Sequence, residues 1–128
     1  MASIYVIHRS PDKAVAREVC EAIRAGGHEA WFDEREIGAG DEVVAAMQQG
    51  MRRADGAVLV LTGTGVEERT WAWFEVMGFL DRVVVERGRT PPPFLLVVEQ
   101  GQPVVPLFLR SMHRIRWDGD GEALRAAI

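Results

Sequence analysis

Residues 57–61 read Ala-Val-Leu-Val-Leu, an unbroken apolar run. An apolar run of strand length predicts a strand buried on both faces, at the centre of a parallel sheet. Upstream, Ile4 to His8 (Ile-Tyr-Val-Ile-His) is a second such run and Glu29 to Phe32 a shorter one. Downstream, Phe94 to Val98 (Phe-Leu-Leu-Val-Val) and the brief Arg114 to Trp117 complete five predicted strands. Amphipathic stretches separate them. Ser10-Pro11-Asp12 has the form of a helix start, with serine as cap, proline at the first helical position and an acid in the first turn. Val15, Val19 and Ile23 then recur every four residues, which lays an apolar stripe along one helix face, and Gly26-Gly27 ends it. Asp41 can cap a second helix carrying Val44, Met47 and Met51 on one side. Thr70 can cap a third from Trp71 to about Val83, and Gly121 begins the last. Strands alternating with helices impose right-handed crossovers. The expected fold is therefore α/β: a three-layer, flavodoxin-like, doubly wound parallel sheet of five strands.

In such a sheet ligands bind beyond the C-terminal ends of the strands. The segments of interest are His8-Arg9-Ser10, Asp33 to Gly40, the loop Thr62 to Arg69 and the start of the third helix. The 128 residues suit one domain, and 48% hydrophobic with 27% charged residues is the composition of a folded chain. A net charge of −4 repels phosphate backbones, so direct nucleic-acid binding is not expected. The single cysteine, Cys20, sits beside the apolar face of the first helix and reads as a packed small residue; with one thiol, a reducing cytoplasm is the expected compartment. His8, His28 and His113 lie in separate segments, without the spacing of metal ligands, so no metal site is expected. No apolar run reaches the roughly 18 residues that span a bilayer, and no membrane partner is expected. The last helix stops at Ile128 without a stop signal. It reads either as a short frayed end or as the junction at which a single domain, residues 1–128, forms the N-terminal effector of a larger protein.

Several nucleotide sites are excluded by pattern. The phosphate-cradling G-x-x-x-x-G-K-S/T loop is absent. Gly63-Thr64-Gly65 lacks the third glycine of a dinucleotide motif, with Glu68 in its place, and follows the third strand rather than the first. A receiver domain needs acids after the first strand, an aspartate ending the third and a late lysine. Here those places hold His8-Arg9 and Thr62, and Lys13 is the only lysine. Arg9-Ser10-Pro11 is not the phosphate loop of a flavodoxin.

What remains is Thr70-Trp71-Ala72-Trp73-Phe74-Glu75. Helical spacing puts Trp71 and Glu75 one turn apart on the same face. Aromatic surface around a carboxyl disfavours its charged form, while a nearby helix N-terminus favours it. Such competing influences mark a candidate functional acid. The plainer alternative is a solvated acid in an early helical turn, with Trp71 in the core.

Several motifs taken in order resemble the TIR family, the Toll/interleukin-1 receptor domains, over nearly the whole chain. Ile7-His8-Arg9-Ser10-Pro11-Asp12 is similar to the family's segment after the first strand. Trp31-Phe32-Asp33, Ile37 and Ala39-Gly40 are similar to its second strand and loop, and Leu61-Thr62-Gly63 to the end of its third strand. Trp71-Ala72-Trp73-Phe74-Glu75 is similar to its Trp-x-x-x-Glu helix, and Trp117-Asp118-Gly119 with Glu122-Ala123-Leu124 to its last strand and helix. Ile7, His8, Ala39 and Ala72 depart from the usual serine, tyrosine, proline and cysteine.

The resemblance implies the TIR fold and one of two functions. The first is the bacterial NAD+-hydrolase type: a glycohydrolase that cleaves the nicotinamide–ribose bond, with NAD+ as substrate and no cofactor. Glu75 is then catalytic, and Trp71 shapes the pocket and influences whether water or the adenine captures the ribosyl cation, giving ADP-ribose or a cyclic isomer. His8, Arg9, Ser10, Trp31 and Asp33 are the further substrate-binding candidates: Arg9 with the Ser10 backbone for the pyrophosphate, Trp31 or His8 for stacking on a base. Arg9 reads equally as a surface charge. The loop holding Ile37, Gly38, Ala39 and Gly40 corresponds to the family's self-association loop, so activity gated by assembly, in bacterial antiphage defence, is implied. The second function is a non-catalytic TIR–TIR signalling scaffold.

Overall fold

The computed structural model describes residues 2–31, 49–63, 71–103, 105, 109–110 and 112–128, with the backbone alone for Ser10 and 71–74. Five strands form one sheet: β1 (Ser3–Ile7), β2 (Glu29–Trp31), β3 (Gly56–Thr62), β4 (Phe94–Gln100) and β5 (His113–Arg116). Their order is β2-β1-β3-β4-β5 and every pairing is parallel, the doubly wound arrangement expected of the sequence. The register sets Tyr5 opposite Trp31 on one side and Ala57 on the other. β3, the run at 57–61, is paired on both edges and buried from Gly56 to Leu61.

Period-2 alternation divides the core in two. Ile4, Val6, Val58, Val60, Leu96, Val98 and Ile115 point to one face, where α1 (Lys13–Ala25) contributes Val19, Cys20 and Ile23 and α3 (Glu122–Ala127) contributes Leu124. Cys20 is fully buried there. Tyr5, Ile7, Ala57, Leu59, Leu61, Leu95 and Val97 point to the other face, beneath Val76 and Phe79 of α2 (Trp71–Val85). Residues 49–53 are helical as well, and Met51 and Ala54 join this second cluster.

The helix start at Ser10 differs from its reading. Ser10–Asp12 is a turn of 3-10 helix, and α1 begins at Lys13 with no side-chain cap bond from Asp12. Asp12 is instead held at the C-terminal ends of β1 and β3 by partners described below. The expected Phe32 end of β2 and the helix-two residues Asp41, Val44 and Met47 lie outside the described residues, as does Thr70. α2 runs two residues beyond the expected Val83. β5 is shifted by one, so that Trp117 follows the strand, its N–H bonded to the Glu99 carbonyl at 2.8 Å. Among the described residues, no helix is long and apolar enough to cross a membrane.

Candidate active site

Two polar constellations flank β1. The first is at its C-terminal end. Arg9 donates from Nε to Asp12 at 2.9 Å and from Nη2 to the Thr62 carbonyl at 2.7 Å, while the Thr62 hydroxyl donates to Asp12. Asp12 is 1% exposed, so its charge is carried by these donors rather than by water. The knot ties the segment after β1 to the end of β3. Arg9, with a side chain only 11% exposed, is built into the fold and is not a loose surface charge. His8 stands beside it, its Nδ1 2.9 Å from the Arg9 carbonyl oxygen.

The second constellation lies on the α2 face. Glu75, in the second turn of α2, is 7% exposed, and the Tyr5 hydroxyl donates to its Oε2. The solvated-acid alternative therefore does not hold. Tyr5, 1% exposed, packs its ring on Trp31, with centroids 4.8 Å apart and planes tilted by 49°. Trp31 lies on the edge strand and keeps 39% of its surface exposed. It lines a cleft of about 310 Å3 together with Tyr5, Glu29, Gln49, Gly50 and Arg53. This cleft runs along the β1–β2 edge rather than over the strand ends. Its helical wall is anchored from α2: Arg82 donates to the carbonyls of Met51 and of Ala54, the latter at 2.8 Å. Arg82 also donates from Nε to Glu86 at 2.7 Å, as does Arg89 from Nη1 at 2.7 Å, and these contacts, Arg82 first, draw the Glu86 carboxyl from its ordinary 4.5 down to about 2.

Of the residues singled out by sequence, Glu75 and Trp31 are joined through Tyr5, and His8 and Arg9 meet at the end of β1. The side chains of Ser10 and Trp71, and all of Asp33, Ile37, Gly38, Ala39 and Gly40, lie outside the described residues. Sequence reading passed over Tyr5, taken only as a strand residue. The available signal was a phenol within an otherwise aliphatic run, since a buried tyrosine hydroxyl needs a partner.

Comparison with known proteins settles the family. A TIR-domain family model matches residues 4–128. The chain is a TIR domain. A curated relative, the 2' cyclic ADP-D-ribose synthase BtTIR of Bacteroides thetaiotaomicron, is 29% identical over 79 residues. That match covers 61% of this chain and 27% of the relative's length. Among solved structures, the TIR domain of the Toll-related receptor TRR-2 from Hydra magnipapillata is similar with a TM-score of 0.71 at 12% identity, covering 99% of this chain and 94% of that one. The pseudo-receiver domain of the CikA protein is similar at a TM-score of 0.55 and 16% identity, covering 98% and 92%. At these identities both likenesses concern the fold. The second belongs with the strand order common to TIR and receiver domains, whereas the acids and lysine of a receiver are missing here.

Proposed function

We propose that this TIR domain cleaves NAD+ between nicotinamide and ribose, with Glu75 as the catalytic carboxylate. The observation that carries the proposal is a carboxylate withdrawn from water on α2 and tied to β1, in a family with a cyclic ADP-ribose synthase among its members. An ordinary glycosidase needs two carboxyl groups, one of them to protonate the leaving oxygen. Nicotinamide departs from a cationic pyridinium: the C1′–N bond breaks, its electron pair stays on the ring nitrogen, and the base leaves neutral. No general acid is required. Positive charge builds on the ribose as an oxocarbenium ion, and a fixed carboxylate stabilises it best where water is excluded. Capture of C1′ by water releases a proton and yields ADP-ribose; capture by the adenine likewise releases a proton and yields a cyclic isomer. In this reading Arg9, at the end of β1, serves the pyrophosphate of the substrate, and Trp31 or His8 offers a stacking surface for a base. Assembly through the loop containing Ile37 raises activity.

The test is nicotinamide release by concentrated or crowded protein, with Glu75→Ala as control. Release is expected, and Glu75→Ala is expected to abolish it with the fold intact. Undiminished release by the variant would refute the role of Glu75. The burial of Glu75 also favours a second reading, because a Tyr–Glu pair inside a core serves a scaffold as a structural tie. An assembled protein without turnover, whose partner binding is lost in Ile37→Asp, would establish that reading.

A further inference from the structure

We propose that Tyr5 is a positioning residue for Glu75: its phenol holds one carboxylate oxygen and fixes the plane of the group inside the core. This rests on the reading of Glu75 as the catalytic group. The two residues are 70 positions apart in sequence and come from different layers, so the bond fastens α2 to the sheet at the level of the carboxylate. Tyr5 is itself a rigid support. Its backbone is paired on both sides, to Trp31 and to Ala57, and its ring is confined between the sheet and α2 with 1% exposure. The ring is buried in one cluster with Ile7, Leu59 and Phe79, so packing fixes its position.

Packing alone does not account for the hydroxyl. Phenylalanine would fill the same volume in this apolar cluster, and a buried hydroxyl without a partner is a penalty. A donor to a buried carboxylate is worth more than a neutral hydrogen bond, and it favours the charged form that stabilises an oxocarbenium ion. The same ring lies against Trp31, which lines the cleft. Whatever occupies that cleft presses on an indole that also packs on the residue holding Glu75.

Tyr5→Phe is the test, because it removes the hydroxyl and keeps the ring. In wild-type protein that releases nicotinamide, the variant is expected to stay folded, to lose about tenfold in kcat with KM little changed, as loss of one hydrogen bond to a charged group predicts, and to show the acidic limb of its pH–rate profile at higher pH. A purely structural tyrosine would lower the folded fraction and leave the pH profile and the activity per folded molecule where they were; that result overturns the proposal. A second measurement does not depend on turnover. Tyr5 is the only tyrosine in the chain, so protein labelled with 13C at the phenol carbon gives a single resonance. That resonance is expected to move as Glu75 takes up a proton on acidification and to stay flat in Glu75→Gln. A phenol signal indifferent to Glu75→Gln overturns the pairing. Absence of nicotinamide release from wild-type protein in any assembly state defeats the catalytic reading instead, and is told apart because it leaves the phenol titration in place.

Discussion

The two faces of the sheet are built to different rules. The face under α1 and α3 is packed with aliphatic side chains, and its one buried side-chain polar atom without a hydrogen bond, among the described residues, is the Trp117 indole nitrogen. The face under α2 has the same aliphatic ground but encloses Tyr5 and Glu75. A carboxylate in a core is unfavourable unless it is hydrogen-bonded, and even then an apolar pair of equal volume is often the more stable choice. One face is therefore optimised for cohesion, and the other tolerates a costly group at one place. Local departures of this kind concentrate where a protein does chemistry.

The comparison can be broken most forcefully on the cohesive face. Ile23 is fully buried against the sheet, and Ile23→Ala is expected to lower stability by about 2–5 kcal/mol, through lost transfer energy and the cavity left behind. Urea denaturation measures the loss. Nicotinamide release per folded molecule should be unchanged, because Glu75 is held from the opposite side. A variant that remains folded but releases less would show that the faces are not separable.

The next effect is expected where the strand ends meet. Asp12 is bound by Arg9 and by the Thr62 hydroxyl, and Asp12→Ala takes the carboxylate away from a guanidinium that is mostly enclosed. About 2–3 kcal/mol of stability should go with it, as for hydrogen bonds to charged groups. Asp12→Asn, which keeps an acceptor, should lose less. Thermal melts of the two variants rank them, and equal losses would mean that the charge contributes nothing.

Asp12 also marks the boundary of what could be read from sequence. The strands were legible because a parallel sheet writes itself as uninterrupted apolar runs, and α1 because Val15, Val19 and Ile23 keep helical period. Glu75 was legible for a local reason, its one-turn spacing from Trp71. Asp12 and Tyr5 were not, since what gives each its role is distant in the chain: Thr62 lies 50 residues from Asp12, and Glu75 lies 70 from Tyr5. A first-turn acid next to Ser10-Pro11 has the local pattern of a helix start. Only the crossover that brings β3 beside β1 turns it into the hub of a buried knot. The cleft along the β1–β2 edge was unread for the same reason, because its helical wall and its strand floor are far apart in the chain and the wall is held by Arg82 from a third element.

A finer probe of the α2 face is Gly50. A β-carbon there would come within 2.5 Å of the Trp31 ring, so alanine must displace the indole. Overpacking costs about 1–3 kcal/mol, and replacing a helical glycine by alanine returns about 1 kcal/mol. The indole lies on an edge and can swing outward, which puts the cost at the low end. Gly50→Ala should therefore shift the Trp31 fluorescence and indole resonance while changing stability by no more than about 1 kcal/mol. If Tyr5 depends on its contact with Trp31, the labelled phenol resonance moves too; if it stays, the cleft and Glu75 are uncoupled.

The smallest expected effect comes from the outer support of the same face. The Glu86 carboxyl, drawn down to about 2 by Arg82 and Arg89, stabilises the folded chain while it is ionised. A group held below its ordinary value adds stability that is fully present above the unfolded value near 4.5 and is lost as pH falls through 4.5 toward 2. Glu86→Gln should accordingly be slightly less stable than wild type at neutral pH, and the gap should close across that interval. Because Glu86 is open to solvent, the gap should also shrink in high salt. Comparing denaturation midpoints of the two proteins from neutral pH down to pH 2 cancels the acids they share and isolates this one. A gap that widened on acidification would mean that Glu86 opposes the arginine it touches. Arg82 would then hold Met51 and Ala54, and the wall of the cleft, without help from the surface.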